Sequence, residues 1–329
     1  MIAACPGNPT AIHVIVTPGI NIQFSNGPQS LCSGQSTQAV SLSSSVSGVS
    51  FSWVSQSNGI TGVATSGYNI IPVQTLVNSN QQIDSVNYLV TASSPACPSQ
   101  TADYIVSVKP NPVITLPAPQ KLCSGASINN IHFNSDIAGS TYSWTSTASS
   151  GISGFTASGA ADTLPSFTIL NSTLDTGSIV FNITAANDGC SSSSAAYTIL
   201  VYPNPDIHLP AVQSICNGSA TLPVTFTSGV AGTVFNWTVS NNNNVTGAIN
   251  AGTGTIPSQT LHNASPVAGF VTYTITPSAG NCAGVSANYT DTVYPTPTVI
   301  APAPQVVCSG QMSNPVTLNS ATPGALIHW

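Results

Sequence analysis

A block of about 92 residues recurs along the whole chain, and four separate markers hold its register. Trp53, Trp144, Trp237 and Trp329 are 91, 93 and 92 residues apart, and Cys32, Cys123, Cys216 and Cys308 repeat those intervals. Cys5, Cys97, Cys190 and Cys282 step by 92, 93 and 92, as do Pro18, Pro110, Pro203 and Pro295. Self-similarity at a fixed period requires a fold made of one unit, repeated, with each copy resting on its neighbours. The register divides the chain into three complete copies, 18–109, 110–202 and 203–294. Residues 1–17 match the end of a copy and residues 295–329 match the beginning of one, so the chain reads as part of a longer array.

Within a copy the pattern is that of strands. Val86, Tyr88 and Val90 alternate with polar residues, as do Ile179, Phe181 and Ile183, and Val271, Tyr273 and Ile275. A period of two means one buried face and one wet face. The last strand repeats this with Tyr104, Val106 and Val108, and with Tyr197, Ile199 and Val201. Gly, Pro, Asn and Ser clusters punctuate the rest. About seven short strands per copy, with a tryptophan on a middle strand, predict an all-β Greek-key sandwich. Trp53, Trp144, Trp237 and Trp329 are then core residues between the two sheets. The rival reading, a sugar-stacking platform, requires them to be exposed.

Pro-Asn-Pro (Pro110 to Pro112, Pro203 to Pro205) or Pro-Thr-Pro (Pro295 to Pro297) stands at each junction between copies. Proline fixes its own φ and restrains the residue before it, so these linkers are short and semi-rigid. Successive sandwiches are expected to stack end to end as a rod, each adding roughly 40 Å when turns are added to strands of about 3.3 Å per residue.

Eight cysteines at two recurring positions imply disulfides and an oxidising, extracellular setting. No CxxC pair occurs, and the five histidines share no register with the cysteines, which argues against zinc. Two pairings remain open. The bonds could lie within a copy, as Cys32–Cys97, Cys123–Cys190 and Cys216–Cys282. However, the first cysteine of a copy precedes its second core strand, at the end facing the next copy. The second lies in the turn between the last two strands, at the opposite end, whereas a disulfide needs Cα atoms within about 7 Å. Stacking favours bonds across the joints, Cys32–Cys190 and Cys123–Cys282.

Charge excludes several function classes. Only 3% of residues are charged: two lysines, no arginine, eight aspartates and no glutamate. A net charge of −6 with no basic patch argues against nucleic acid as a partner. No catalytic constellation is visible, because paired-carboxylate chemistry would rest on scattered aspartates and no Ser, His and Asp recur together. No Gly-rich phosphate loop or DxDxDG run occurs, so neither a cofactor nor a metal is expected.

Further residues carry a family resemblance. Leu31-Cys32-Ser33-Gly34, Leu122-Cys123-Ser124-Gly125, Ile215-Cys216-Asn217-Gly218 and Val307-Cys308-Ser309-Gly310 open the copies; Tyr142-Ser143-Trp144 marks the middle strand, and Asp188-Gly189-Cys190 the last turn. This pattern resembles the PKD-like and immunoglobulin-like repeats of giant Bacteroidota surface proteins. Many of those are adhesins, including gliding-motility adhesins, exported by the type IX secretion system. The resemblance implies a cell-surface stalk or filament. Its partners would be neighbouring repeats, other copies of the chain, and a surface or glycan bound at a distal tip. The alternative is that each sandwich is itself a carbohydrate- or surface-binding module. The family also suggests O-glycosylation at Asp-Ser/Thr-apolar sites, here Ser85, Thr163 and Thr292, with Ser85 and Thr292 pointing outward by strand alternation.

Overall fold

The computed structural model describes residues 7–16, 18–95 and 97–329; Cys5 lies outside them. Regular structure among the described residues is all β, with no helix. Each complete copy forms a sandwich around its own core, from Ile20 to Val108, from Ile128 to Val201 and from Val224 to Val293.

The larger sheet has one strand order in all three sandwiches. In the first it runs Gln29–Cys32, Cys97–Lys109, Asp84–Ser94, Ser50–Ser57, Ser66–Tyr68. We call Gln29–Cys32 and its equivalents, Gln120–Cys123 and Ser214–Cys216, the entry strands. Cys97–Lys109, Ala195–Tyr202 and Ala287–Tyr294 are the exit strands. Entry and exit strands pair in parallel, whereas every other pair in the larger sheet is antiparallel. The opposing sheet is slight: Gln23–Phe24, Val40–Ser43 and Ile70–Ile71 form three strands in the first sandwich. It is reduced to two-stranded pairs in the second and mainly to single bridges, such as His208 with Thr227, in the third.

The alternating residues fill the cores as their period requires. Val86, Tyr88, Val90, Ile179, Phe181, Ile183, Val271, Tyr273 and Ile275 are fully buried. Trp53, Trp144 and Trp237 are 3–4% exposed and meet Tyr88, Phe181 and Tyr273 edge-on at centroid distances of 5.5, 5.7 and 5.9 Å. That arrangement adds about 0.5–1.5 kcal/mol to simple area burial. On the other side the indole lies against a glycine. A Cβ on Gly67, Gly159 or Gly252 would come within 2.4 Å of the tryptophan Cζ2, so only glycine fits.

One expectation is corrected. Trp329 is fully exposed rather than a core residue. Burial of the other three depends on an aromatic residue of the long strand and a facing glycine, and residues 295–329 contain neither element; their regular structure is Val299–Ile300 paired with Asn319–Ser320. Residues 7–16 match an exit strand in sequence but form no strand, and Ile12, Val14 and Val16 are 79–86% exposed.

Each entry strand stops at a tight turn that leaves its cysteine at the tip of the sandwich. Gln35, Ala126 and Ser219 donate their N–H groups to the carbonyls of Cys32, Cys123 and Cys216, each at 3.0 Å. The glycine at the third position (Gly34, Gly125, Gly218) has φ of +79 to +85°, the conformation a type II turn demands there. The Tyr104, Tyr197 and Tyr289 hydroxyls tie the chain ahead of the entry strand down, through the carbonyls of Gly27, Ala118 and Ala211.

Candidate functional site at the joints between repeats

The joints are where the recurring residues converge. Cys32 is bonded to Cys190 and Cys123 to Cys282, each pair with Cα atoms 5.5 Å apart. Both bonds link one sandwich to the next. Cys123 stands beside Tyr202, at the far end of the exit strand, while Cys190 lies ahead of its start. The two cysteines of one sandwich are therefore separated by its length, and no Cys123–Cys190 bond is formed. Cys216 and Cys308 are exposed, and Cys97 is half-buried.

Hydrogen bonds reinforce the same places. At the first joint Lys109 donates through Nζ to the carbonyl of Asp188 at 2.9 Å. Asp188 and Gly189 both have positive φ, as a two-residue type I′ turn requires, and that turn delivers Cys190. The linker asparagines face back onto the cysteine turns. Asn111 Nδ2 donates to the carbonyl of Ser33 at 3.0 Å, and Asn204 Nδ2 to that of Ser124 at 2.9 Å. At the third position both residue types change together. Asn217 replaces the serine, Thr296 replaces the asparagine, and Asn217 Nδ2 donates to Thr296 Oγ1 at 3.2 Å.

Beneath each cysteine turn sits a buried asparagine. Asn78 Nδ2 donates to the carbonyls of Val108 and Gln82 at 2.8 and 2.9 Å, and its Oδ1 accepts from the Asn80 N–H. Asn171 and Asn263 repeat these bonds. Their own N–H groups donate to the side chain that follows the cysteine: Ser33, Ser124 or Asn217. The entry turn, the end of the exit strand and the loop before the long strand are thus bound into one platform. These residues escaped sequence reading because Asn and Ser abound in the loops. Their signal was the register itself, 78, 171 and 263.

The other sequence-singled residues are dispersed. Ser85 is exposed, whereas Thr163 and Thr292 are half-buried. Thr292 lies in an interior strand, between Ser214 and Phe270. Asp291, the acidic residue of its motif, is 1% exposed. It occupies the core position held by Val106 and Ile199 in the other sandwiches, and burial pushes its carboxyl above the usual carboxylate range. Among the described residues no group of three or more His, Cys, Asp or Glu side chains gathers at one place.

The model of one family, described as PKD-like domain, matches residues 29–112, 120–205 and 213–297. The chain belongs to the PKD-like domain family. Each match opens at or next to an entry strand and closes in the linker after an exit strand, so the PKD-like unit coincides with the sandwich between two joints. No curated protein matches the chain. Among solved structures, mouse cadherin-23 EC22-24 is similar at 12% identity and a TM-score of 0.39, covering 84% of this chain and 99% of that one. Drosophila N-cadherin EC1-4 is similar at 15% identity and a TM-score of 0.35, covering 84% and 76%. Dpr2 Ig1-Ig2, solved in complex with DIP-Theta Ig1-Ig3, gives 9% identity and a TM-score of 0.33, covering 84% and 99%.

Proposed function

We propose that the PKD-like repeats form a non-catalytic extracellular stalk, in which the units 18–109, 110–202 and 203–294 are links of a stiff rod that holds a distal binding region away from a cell. The observation that carries this reading is that both disulfides bridge consecutive sandwiches rather than clasp one. A disulfide within a unit serves only its stability, whereas one across a joint restricts the angle between units. The proline linkers and the Asn111 and Asn204 contacts act in the same direction. Persistent disulfides belong to oxidising surroundings.

In finer detail, we read the stalk as part of a Bacteroidota surface adhesin or filament of the gliding-motility type, exported by type IX secretion. This rests on the Cys-Ser-Gly, Tyr-Ser-Trp and Asp-Gly-Cys pattern. Its partners would be the adjoining repeats, other copies of the chain, and a surface or glycan at the tip. Of the three O-glycosylation positions, Ser85 is the most accessible. The reading of each sandwich as a carbohydrate-binding module is weaker. The tryptophans that recur in the three complete units are covered, and the exposed Tyr68 has Ala160 and Thr253 at its register positions.

Negative-stain electron microscopy of the oxidised protein tests the stalk. Straight particles with about 40 Å per repeat are expected, from strand rises near 3.3 Å per residue plus turns. A chain that bends freely at Pro110 and Pro203 rules the rod out.

A further inference from the structure

The two disulfides decide which parts of the chain carry a pull along its length. Entry and exit strands lie side by side and point the same way, with Cys32 beside Lys109, Cys123 beside Tyr202 and Cys216 beside Tyr294. Cys190 and Cys282 stand ahead of the exit strands of the second and third repeats. Covalent bonds can therefore be followed from one repeat to the next without entering the strands between. One line runs from residue 18 to Cys32, crosses to Cys190, and continues through exit strand, linker and entry strand to Cys216. The other runs from Cys97 through the first linker to Cys123, crosses to Cys282, and continues to Cys308. Within the second repeat the two lines are the hydrogen-bonded neighbours Gln120–Cys123 and Ala195–Tyr202. Residues 33–96, 124–189 and 217–281, which hold the tryptophan strands and the long strands, lie off both lines.

We propose that these two disulfide-spliced lines bear tension, which makes the protein a nearly inextensible tether whose tryptophan strands and long strands are shielded from load. Spacing supports this. Cys97 to Cys123, Cys190 to Cys216 and Cys282 to Cys308 are each 26 residues apart, and Cys5 to Cys32 is 27. The excursions between tracks, Cys32 to Cys97, Cys123 to Cys190 and Cys216 to Cys282, vary as 65, 67 and 66. Parallel lines share a load only when they have the same length, and the tracks are the more uniform part. They are also already extended. A track of this length reaches about 90 Å at most, at ~3.3–3.6 Å per residue, and it spans two repeats. Little slack remains to be drawn out.

Reduction exposes the contrast. Without the splices a pull must pass through every strand, and each unfolding repeat releases roughly 280 Å of chain at ~3.3–3.6 Å per residue. The tether depends on the stalk reading only for the direction of the load.

The test is single-molecule pulling of the full chain with bio-orthogonal handles at the exposed Gly19 and Val212, which lie on the first line. In the oxidised protein the path between the handles crosses Cys32–Cys190 and holds about 35 residues, so the extension at high force stays below roughly 130 Å, from ~3.6 Å per residue. After reduction by tris(2-carboxyethyl)phosphine the same handles are expected to separate to more than about 600 Å, in discrete unfolding steps. Oxidised Cys32→Ser should behave like the reduced protein. A step of hundreds of Å in the oxidised parent overturns the proposal, whether or not the variant folds. Straight particles with such steps would sink the tether and leave the rod; bent particles with a short, stiff response would sink the rod and leave the tether.

Discussion

Asn111 in the first linker donates its side-chain amide to the backbone carbonyl of Ser33, the residue after the bridging Cys32. Asn204 and Ser124 repeat the bond one unit on. The linker is thereby fastened to the turn that carries the disulfide, so the covalent and hydrogen-bonded parts of the joint act on the same few atoms. Replacing Asn204 with Ala should cost about 0.5–1.5 kcal/mol, the usual net worth of one such bond. The loss should appear mainly in reduced protein, where the disulfide no longer masks it. Scattering from reduced N204A should show a shorter maximum dimension than reduced parent protein; an unchanged profile counts against the fastening.

Asn171 sets a larger expectation. It is 8% exposed and binds Val201, Asp175, Thr173 and Ser124 from one side chain and its own N–H. Asn171→Leu would leave the carbonyl of Val201 buried without this donor. Each buried polar group stripped of its partner costs about 1–3 kcal/mol, so a loss of about 2–4 kcal/mol is expected in the second repeat. Urea unfolding, monitored by fluorescence of Trp144, would show it as a lowered midpoint. A shift indistinguishable from that of an exposed control such as Asn243→Ala would contradict the platform.

These residues also mark how far the chain could be read before its structure was known. Strand alternation placed Val86, Tyr88 and Val90 in the core because period two is local information. The position of the joint cysteines was legible because strands that cross a sandwich put consecutive turns at opposite ends. Burial of a tryptophan was not local. Trp53 is covered by Tyr88 and Gly67, residues 35 and 14 positions away, and Trp329 has no equivalents within the chain. Asn78 looked like a loop residue because asparagine is the ordinary currency of turns. Asp291 is the most instructive. Its place between Tyr289 and Val293 in an alternating strand assigns it to the core, but the Asp-Thr-Val motif draws the eye to a surface reading.

The glycine facing each tryptophan offers a test of packing. A Cβ at Gly159 would lie 2.3 Å from Trp144 Cζ2 and 2.6 Å from Cε2, and the ring is held on its other side by Phe181. Gly159→Ala should destabilise the second repeat by about 1–3 kcal/mol through overpacking. The residue does not sit at positive φ, so backbone strain adds nothing. Near-ultraviolet circular dichroism of G159A should change in the tryptophan bands while the far-ultraviolet spectrum stays that of a β protein. An unaltered tryptophan signal with parental stability would mean that the ring has room to move.

The third repeat should answer to pH in a way the first two do not. Asp291 replaces an aliphatic core residue, its Oδ1 has no hydrogen-bond partner, and burial raises its pKa above the usual carboxylate value. The nearby polar groups of Tyr289 and Gln213 oppose that shift without cancelling it. Between the ordinary and the raised pKa the folded state holds more protons than the unfolded state, so stability falls as pH rises through that window. Below the ordinary carboxylate range the penalty is absent, because both states are protonated. Above the raised value the penalty is complete. Asp291→Val should therefore stabilise the third repeat at neutral pH by about 1–3 kcal/mol, the scale of one unpartnered buried polar group, and have little effect in acid. Amide hydrogen exchange of Gly269–Ala279 against pH, in parent and variant, isolates the third repeat from the others. Protection that increases with pH through the carboxylate range in the parent, or a variant no better protected at neutral pH, would show that Asp291 is solvated rather than buried.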